Sequence, residues 1–294
     1  MTSPRPTALA PFLALGGAAM LVALLMAALS LVVARPAAGS HGADVRPDSV
    51  PTQTWCEDLR LGSGDHCELR SRSTPVGSGP FVVSGMRSGS ISVEGWTGPE
   101  VRVTARVVGR QARSSRAAVE LVEAVEVRTT AGGVGVNGPR SGLVGRTSWS
   151  VDLRIQVPVG TDLDLSTSNG AVRVAGVQGG VQARSSNGAM TLEDVRGSVR
   201  AQTSNGAVTV VMTSGPGAGD AVTLQTSNGP INLHLPENAN ARLEARTSNG
   251  RITSEIPLEV EGRRQNEAST VLGQGEGRVE LRTSNGAIRI HRSR

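Results

Sequence analysis

No lysine and no tyrosine occur in this chain of 294 residues, which holds only two phenylalanines, three tryptophans and two cysteines. With lysine absent, all 30 cationic side chains are arginines, and the formal charge of +5 is modest for the length. It permits attraction to anionic polymers without demanding it. Phe81 is the only phenylalanine outside the apolar N-terminal stretch, so a core has to be built from Val, Leu, Ile and Ala. That suits narrow β-coils with thin interiors and fits poorly with a large aromatic-filled sandwich. The same shortage argues against nucleic acid, whose single strands are gripped by stacking bases on aromatic rings. It also argues against a polysaccharide-acting β-helix enzyme, which needs aromatic platforms for its sugars, although fold alone never settles function.

Signatures of chemistry are equally scarce. The sequence has no G-x-S-x-G elbow, P-loop or H-E-x-x-H, and no calcium-binding Gly-Gly-x-Gly-x-Asp turn. His41, His66, His234 and His291 are scattered; His234 faces out by alternation and reads as a lone surface histidine. Asp162 and Asp164 share one strand face, but nothing is placed to push their pKa values apart as acid–base catalysis requires. The expectation is a protein without catalytic residue, cofactor or metal. Cys56 and Cys67 flank a Gly-Ser-Gly-Asp turn. In an exported chain these two are a disulfide candidate, their flanks meeting as a hairpin. A zinc site is disfavoured because neither C-x-x-C nor a His pair accompanies them.

What the second half does contain is repetition. Ser-Asn-Gly recurs six times, at Asn169-Gly170, Asn187-Gly188, Asn205-Gly206, Asn228-Gly229, Asn249-Gly250 and Asn285-Gly286. The first three asparagines stand 18 residues apart; the next steps are 23, 21 and 36. The last is twice 18, which predicts one degenerate unit between Ile252 and Val279. Each unit reads as two short strands: Leu163, Leu165 and Thr167 alternate with polar residues before the turn, and Val172 and Val174 do so after it. Asn-Gly supplies two residues that tolerate positive φ.

Two architectures share that pattern. An antiparallel hairpin meander or sandwich would pair Thr167 with Val172 through a type I′ turn. A β-solenoid-like pile of two-strand units would place equivalent residues about 4.8 Å apart, with Thr, Ser and Asn ladders bonded up the stack. Alternation does not separate them; repetition favours the solenoid, and Ser before every Asn exceeds what a hairpin needs. The expected fold class is thus all-β, repetitive and stacked, preceded by one N-terminal transmembrane helix.

That helix is expected within residues 8–34. Residues 12–34 carry no charge, and 23 apolar residues exceed the roughly 20 needed to cross a bilayer. A cleavable signal has an apolar core of only about 7–15 residues, so an uncleaved anchor is expected, although Val32-Val33-Ala34 also suits signal cleavage. The remaining organisation is a cytoplasmic flank 1–7, a linker 35–80 with the Cys pair, and a β-repeat domain 81–294. Within it, residues 90–96 followed by 101–105 together read as a worn copy of the repeat, without Asn-Gly. Residues 115–125 read as a short helix capped by Ser114 or as another strand.

The run WSVDLRIQVPVGTDLDLSTSNGAVRV, the Ser-Asn-Gly units after it, the early SGSISVEGW and the closing LGQGEGRVELRTSNGAIRIHR resemble the bacterial putative-adhesin family of unknown function, also called toast-rack. The resemblance spans residues 79–292. It implies an exported or membrane-tethered all-β protein and carries over the turn residues, but no catalytic residue.

Outward positions remain as candidates for binding. Arg184, Arg246 and Arg282 before the turns, with Arg173 and Arg289 after them, form an expected surface ladder for an anionic envelope polymer or another envelope protein. Plain solubility and protection of strand edges explain such arginines as well. The function expected is a non-catalytic, membrane-tethered extracytoplasmic module for adhesion or envelope interaction. The alternative is an envelope-stress sensor acting through a membrane partner, since residues 1–7 are too short to signal alone.

Overall fold

The computed structural model describes residues 54–110, 114–140, 148–261 and 266–293. The expected anchor at 8–34 lies outside these residues. Among them, no helix is long and apolar enough to cross a membrane.

The six units are coils of one stack, not hairpins. In every coil the strand before Asn-Gly lies in one sheet and the strand after it in another. Leu163–Asn169, Val181–Ser185, Val199–Thr203 and Ala221–Thr226 run parallel and adjacent in the first sheet. Val172–Ala175, Met190–Val195, Val208–Met212 and Ile231–Leu235 do so in the second. Thr167 lies opposite Ser185 of the next coil, so the alternative pairing with Val172 is excluded. The register is in phase: Ala183 faces Leu165 on one side and Ala201 on the other. Alternate residues therefore point into a shared interior, where Leu165, Val174, Leu192, Val210, Leu224 and Leu233 are fully buried. Each such aliphatic side chain contributes roughly 1.5–3 kcal/mol by leaving water.

The order of coils departs from the order of sequence. Gly277–Thr283 inserts between Ala221–Thr226 and Ala241–Thr247, and Ile288–Arg292 inserts between Ile231–Leu235 and Ile252–Ser254. The coil of Asn285 thus sits between the coils of Asn228 and Asn249. The degenerate unit expected between Ile252 and Val279 is not a layer. That segment has no Ser-Asn-Gly to turn its corner, and it forms Glu259–Glu261 and Glu267–Leu272. These pair antiparallel with each other, and the latter with Ala241–Thr247, closing the end of the first sheet. The crossing back to Gly277 is held by Asn240: its Oδ1 accepts from the N–H groups of Gln274 (2.8 Å) and Glu276 (3.3 Å), and its carbonyl from Gly277 (2.9 Å).

At the other end, Phe81–Ser88 and Ile91–Trp96 form a seventh coil without Asn-Gly, stacked on the first repeat. The worn copy is real in its first strand only. Glu100–Arg110 instead pairs antiparallel with Ser148–Pro158 and with the edge strand His66–Pro75. The Cys-bearing segment therefore contributes a strand to the body rather than a linker. Residues Ser115–Glu123 form a helix whose N-cap Ser114 accepts from the N–H of Ala117. Arg70 caps its far end through the carbonyls of Val122 (2.9 Å) and Val125.

Candidate binding surfaces

The Asn-Gly corners stack into ladders. Each asparagine Nδ2 donates at 2.8 Å to the Oδ1 of the asparagine in the neighbouring coil, in the order Asn249, Asn285, Asn228, Asn205, Asn187 and Asn169. Asn169 ends the run by donating to the Arg87 carbonyl. The threonine or serine two residues earlier is buried and donates to a glycine carbonyl one coil away: Ser185 to Gly170, Thr203 to Gly188, Thr226 to Gly206, Thr283 to Gly229 and Thr247 to Gly286, at 2.9–3.2 Å. Serine takes part through its backbone, its carbonyl accepting from the next asparagine N–H.

The glycines correct an expectation. None of the six has a left-handed φ. A Cβ on Gly206 would stand 2.1 Å from the Gly188 carbonyl oxygen, and one on Gly188 only 1.9 Å from that of Gly170. Close stacking demands glycine here, not a strained dihedral. The sequence carried that signal: the residue after Gly varies among Ala, Pro and Arg while Gly never does.

The five arginines of the expected ladder are not one surface. Arg173 and Arg289 project from the second sheet and Arg184, Arg246 and Arg282 from the first. Arg184 is paired with Asp164 at 3.0 Å, and Arg282 with Glu280 on its own strand. Arg173 touches Glu193 at 3.5 Å, and Arg289 donates to Asn232 Oδ1 at 3.4 Å. On the second sheet, Ser92, Arg173, Thr191, Thr209, Asn232, Arg289 and Thr253 form one unbroken polar row across adjacent strands.

That row runs into a recess that sequence reasoning missed. A cavity of about 270 Å³ is lined by Trp55, Ser90, Ser92, Arg106, Arg154 and Arg173 over an apolar floor. The Cys56–Cys67 disulfide, with Cα atoms 6.0 Å apart, ties the single helical turn Thr54–Glu57 to the edge strand. The flanks do not form a hairpin. Trp55 is laid against the sheet with Arg154 over its ring at 4.0 Å and Arg106 at 4.6 Å. Arg106 also donates to the Trp55 carbonyl (2.8 Å) and to Asp152 Oδ2 (2.9 Å). Asp152 Oδ1 accepts from the Ser90 N–H (2.8 Å) and hydroxyl (2.7 Å). Burial works to raise the Asp152 pKa, but the Ser90 hydrogen bonds and Arg106 outweigh it and hold the carboxylate below its ordinary range.

His234 is not a lone histidine. Its ring stacks on that of His291 with centroids 4.7 Å apart, and His291 Nδ1 lies 3.1 Å from Glu255 Oε1. Burial, then the neighbouring His291 charge, lowers the His234 pKa. Asp164 is engaged by Arg184 and Gln182, and Asp162 accepts from the Gly180 N–H. Among the described residues, no group of three or more His, Cys, Asp or Glu is arranged to hold a metal ion.

The chain is similar in structure to a putative cell adhesion protein from Clostridium sporogenes, at 12% identity and a TM-score of 0.45, over 78% of this chain and 100% of that one. It is also similar to a putative adhesin from Bacteroides fragilis (14% identity, TM-score 0.35, 77% and 97% covered). A putative adhesin from Parabacteroides distasonis is a further neighbour (7% identity, TM-score 0.23, 76% and 97% covered). No curated protein matches the sequence. The Toastrack family DUF4097 matches residues 82–291, the span of stacked coils with its N-terminal end strands, and the chain belongs to that family.

Proposed function

We propose that this protein is a non-catalytic surface module outside the cytoplasm, anchored through residues 8–34, whose stacked body holds another component of the cell envelope. The observation that carries this reading is the polar row on the second sheet, from Ser92 through Arg173 to Arg289 and Thr253. Successive members are spaced by the strand separation of about 4.8 Å. A regular row of donors and acceptors on a rigid face suits an extended, repetitive ligand better than a small substrate. Stacking supplies the rigidity: every coil is fixed to its neighbours by backbone pairing, the Asn ladder and the Thr–Gly bonds. The test is a glycan array and an envelope pull-down with the full chain. Saturable capture of one component, weakened by substitutions along the row, is expected; absence of any saturable partner would refute the reading.

A further inference from the structure

We infer that the recess beside Trp55 is an oxyanion site, taking a carboxylate or phosphate group of an anionic glycan; this rests on the surface-module reading above. Arg154 and Arg173 both lie level with Ser92, one on each neighbouring strand. Their Cα atoms are therefore two strand spacings apart, about 9.6 Å, with the Ser92 hydroxyl between them. Two arginine side chains, each long enough to bridge half that gap, can donate to one anion lying over Ser92, each through its planar fork.

The charges around the recess separate structural arginines from available ones. Arg106 is committed: it and Asp152 are only 13% and 17% exposed, and it also binds the Trp55 carbonyl. Arg154 has no carboxylate partner among the described residues and is held in place by stacking on the indole. Its orientation is thus fixed without its charge being spent, which lowers the ordering cost of binding. Arg173 has one loose contact, to Glu193 at 3.5 Å. Two arginines of the opposite sheet differ, Arg184 and Arg282 being paired with carboxylates close by. The recess also opens onto the polar row, so a chain anchored here by its anion continues over Thr191 and Thr209. The anion is the anchor and the row the track.

The experiment measures retention of the purified full chain on immobilised polygalacturonate, poly(glycerol phosphate) and neutral dextran. Retention is expected on one or both polyanions and not on dextran; the polymer that retains the chain tells carboxylate from phosphate. Arg173→Gln and Arg154→Gln should each weaken retention about tenfold, and Arg184→Gln on the opposite sheet less than twofold. Arg173 touches neither Trp55 nor the disulfide, so its variant stands even if Arg154→Gln loosens the N-terminal turn. Equal losses in Arg173→Gln and Arg184→Gln would overturn the site, because binding would then follow overall charge. So would the lack of retention on either polyanion. Saturable capture of a neutral glycan, unaffected by Arg173→Gln, would overturn the site while leaving the surface-module reading intact.

Discussion

Replacing Gly206 with alanine separates two accounts of why glycine occupies every corner. If the residue served only chain flexibility, alanine would stabilise the fold by about 0.4–1 kcal/mol, since the native φ suits an L-residue. The stack predicts the opposite sign. The new methyl would lie 2.1 Å from the Gly188 oxygen and 2.6 Å from its carbon, over an ångström inside normal contact. The coils must part locally, and overpacking of this kind costs about 1–3 kcal/mol. Parting also stretches the Thr203 bond to Gly188 (3.1 Å), the Asn205 N–H bond to Ser186 (2.9 Å) and the Asn205–Asn187 rung (2.8 Å), each worth about 1 kcal/mol. After the gain in the unfolded chain, the net loss is about 3–6 kcal/mol, or about 6–24 °C in melting temperature for a body of this size. Circular dichroism melts of Gly206→Ala and of Gly160→Ala, where nothing lies within 4 Å of the added methyl, make the comparison. Gly160→Ala should melt about 1–4 °C above the parent. A Gly206→Ala protein that melts as high as the parent would refute the steric account.

The Asn ladder has an interior and an end, so Asn205→Ala, which breaks two side-chain bonds, should cost about twice as much as Asn249→Ala, which breaks one; urea melts measure both. For the same reason folded protein should resist deamidation at its Asn-Gly bonds while denaturant-unfolded protein does not, with Asn249 the first to react in peptide maps; equal rates in both states would argue against ordered corners. Asp152→Asn leaves Arg106 buried without its counter-charge and should cost about 3 kcal/mol. Because the folded pKa of Asp152 is depressed, its stabilisation is present above the ordinary carboxylate range and should fade as pH falls below about 4. His234 acts higher up: its folded pKa is also depressed, so stability should begin to fall as pH drops through about 6.5. His234→Gln should flatten that part of the melting-temperature profile.

Strand positions and burial were legible because both are periodic. Alternation alone places Leu163, Leu165 and Val172 in the interior, and they are there. The solenoid was favoured by Ser and Thr recurring before Asn, and those residues do bond between coils. What repetition hides is the order of coils. Val222, Val279 and Leu243 are interchangeable as neighbours, so nothing local tells the chain that the Asn285 coil belongs between the Asn228 and Asn249 coils. The clue lay in Asn240 and the Gly-rich crossing it pins. Face assignment failed for a related reason. Arg173 and Arg184 are 11 residues apart yet on opposite sheets, because the corner at residues 176–180 carries the chain from one sheet to the other between them. The long-range pairing of Trp55 with Arg154 leaves no periodic trace; His234 and His291 do share one position of the repeat, five residues after its glycine, but they meet only because the Asn285 coil stacks directly on the Asn228 coil.

The displaced coil also ties assembly to synthesis. Residues 241–254 leave the ribosome before the segment that must lie beneath them, so they cannot settle in their final place while translation is reaching residue 277. A nascent chain growing coil by coil would first lay residues 241–254 directly on residues 221–235, then have to reopen that junction. Losing the last repeat would remove the floor just beneath the roof, not the roof itself.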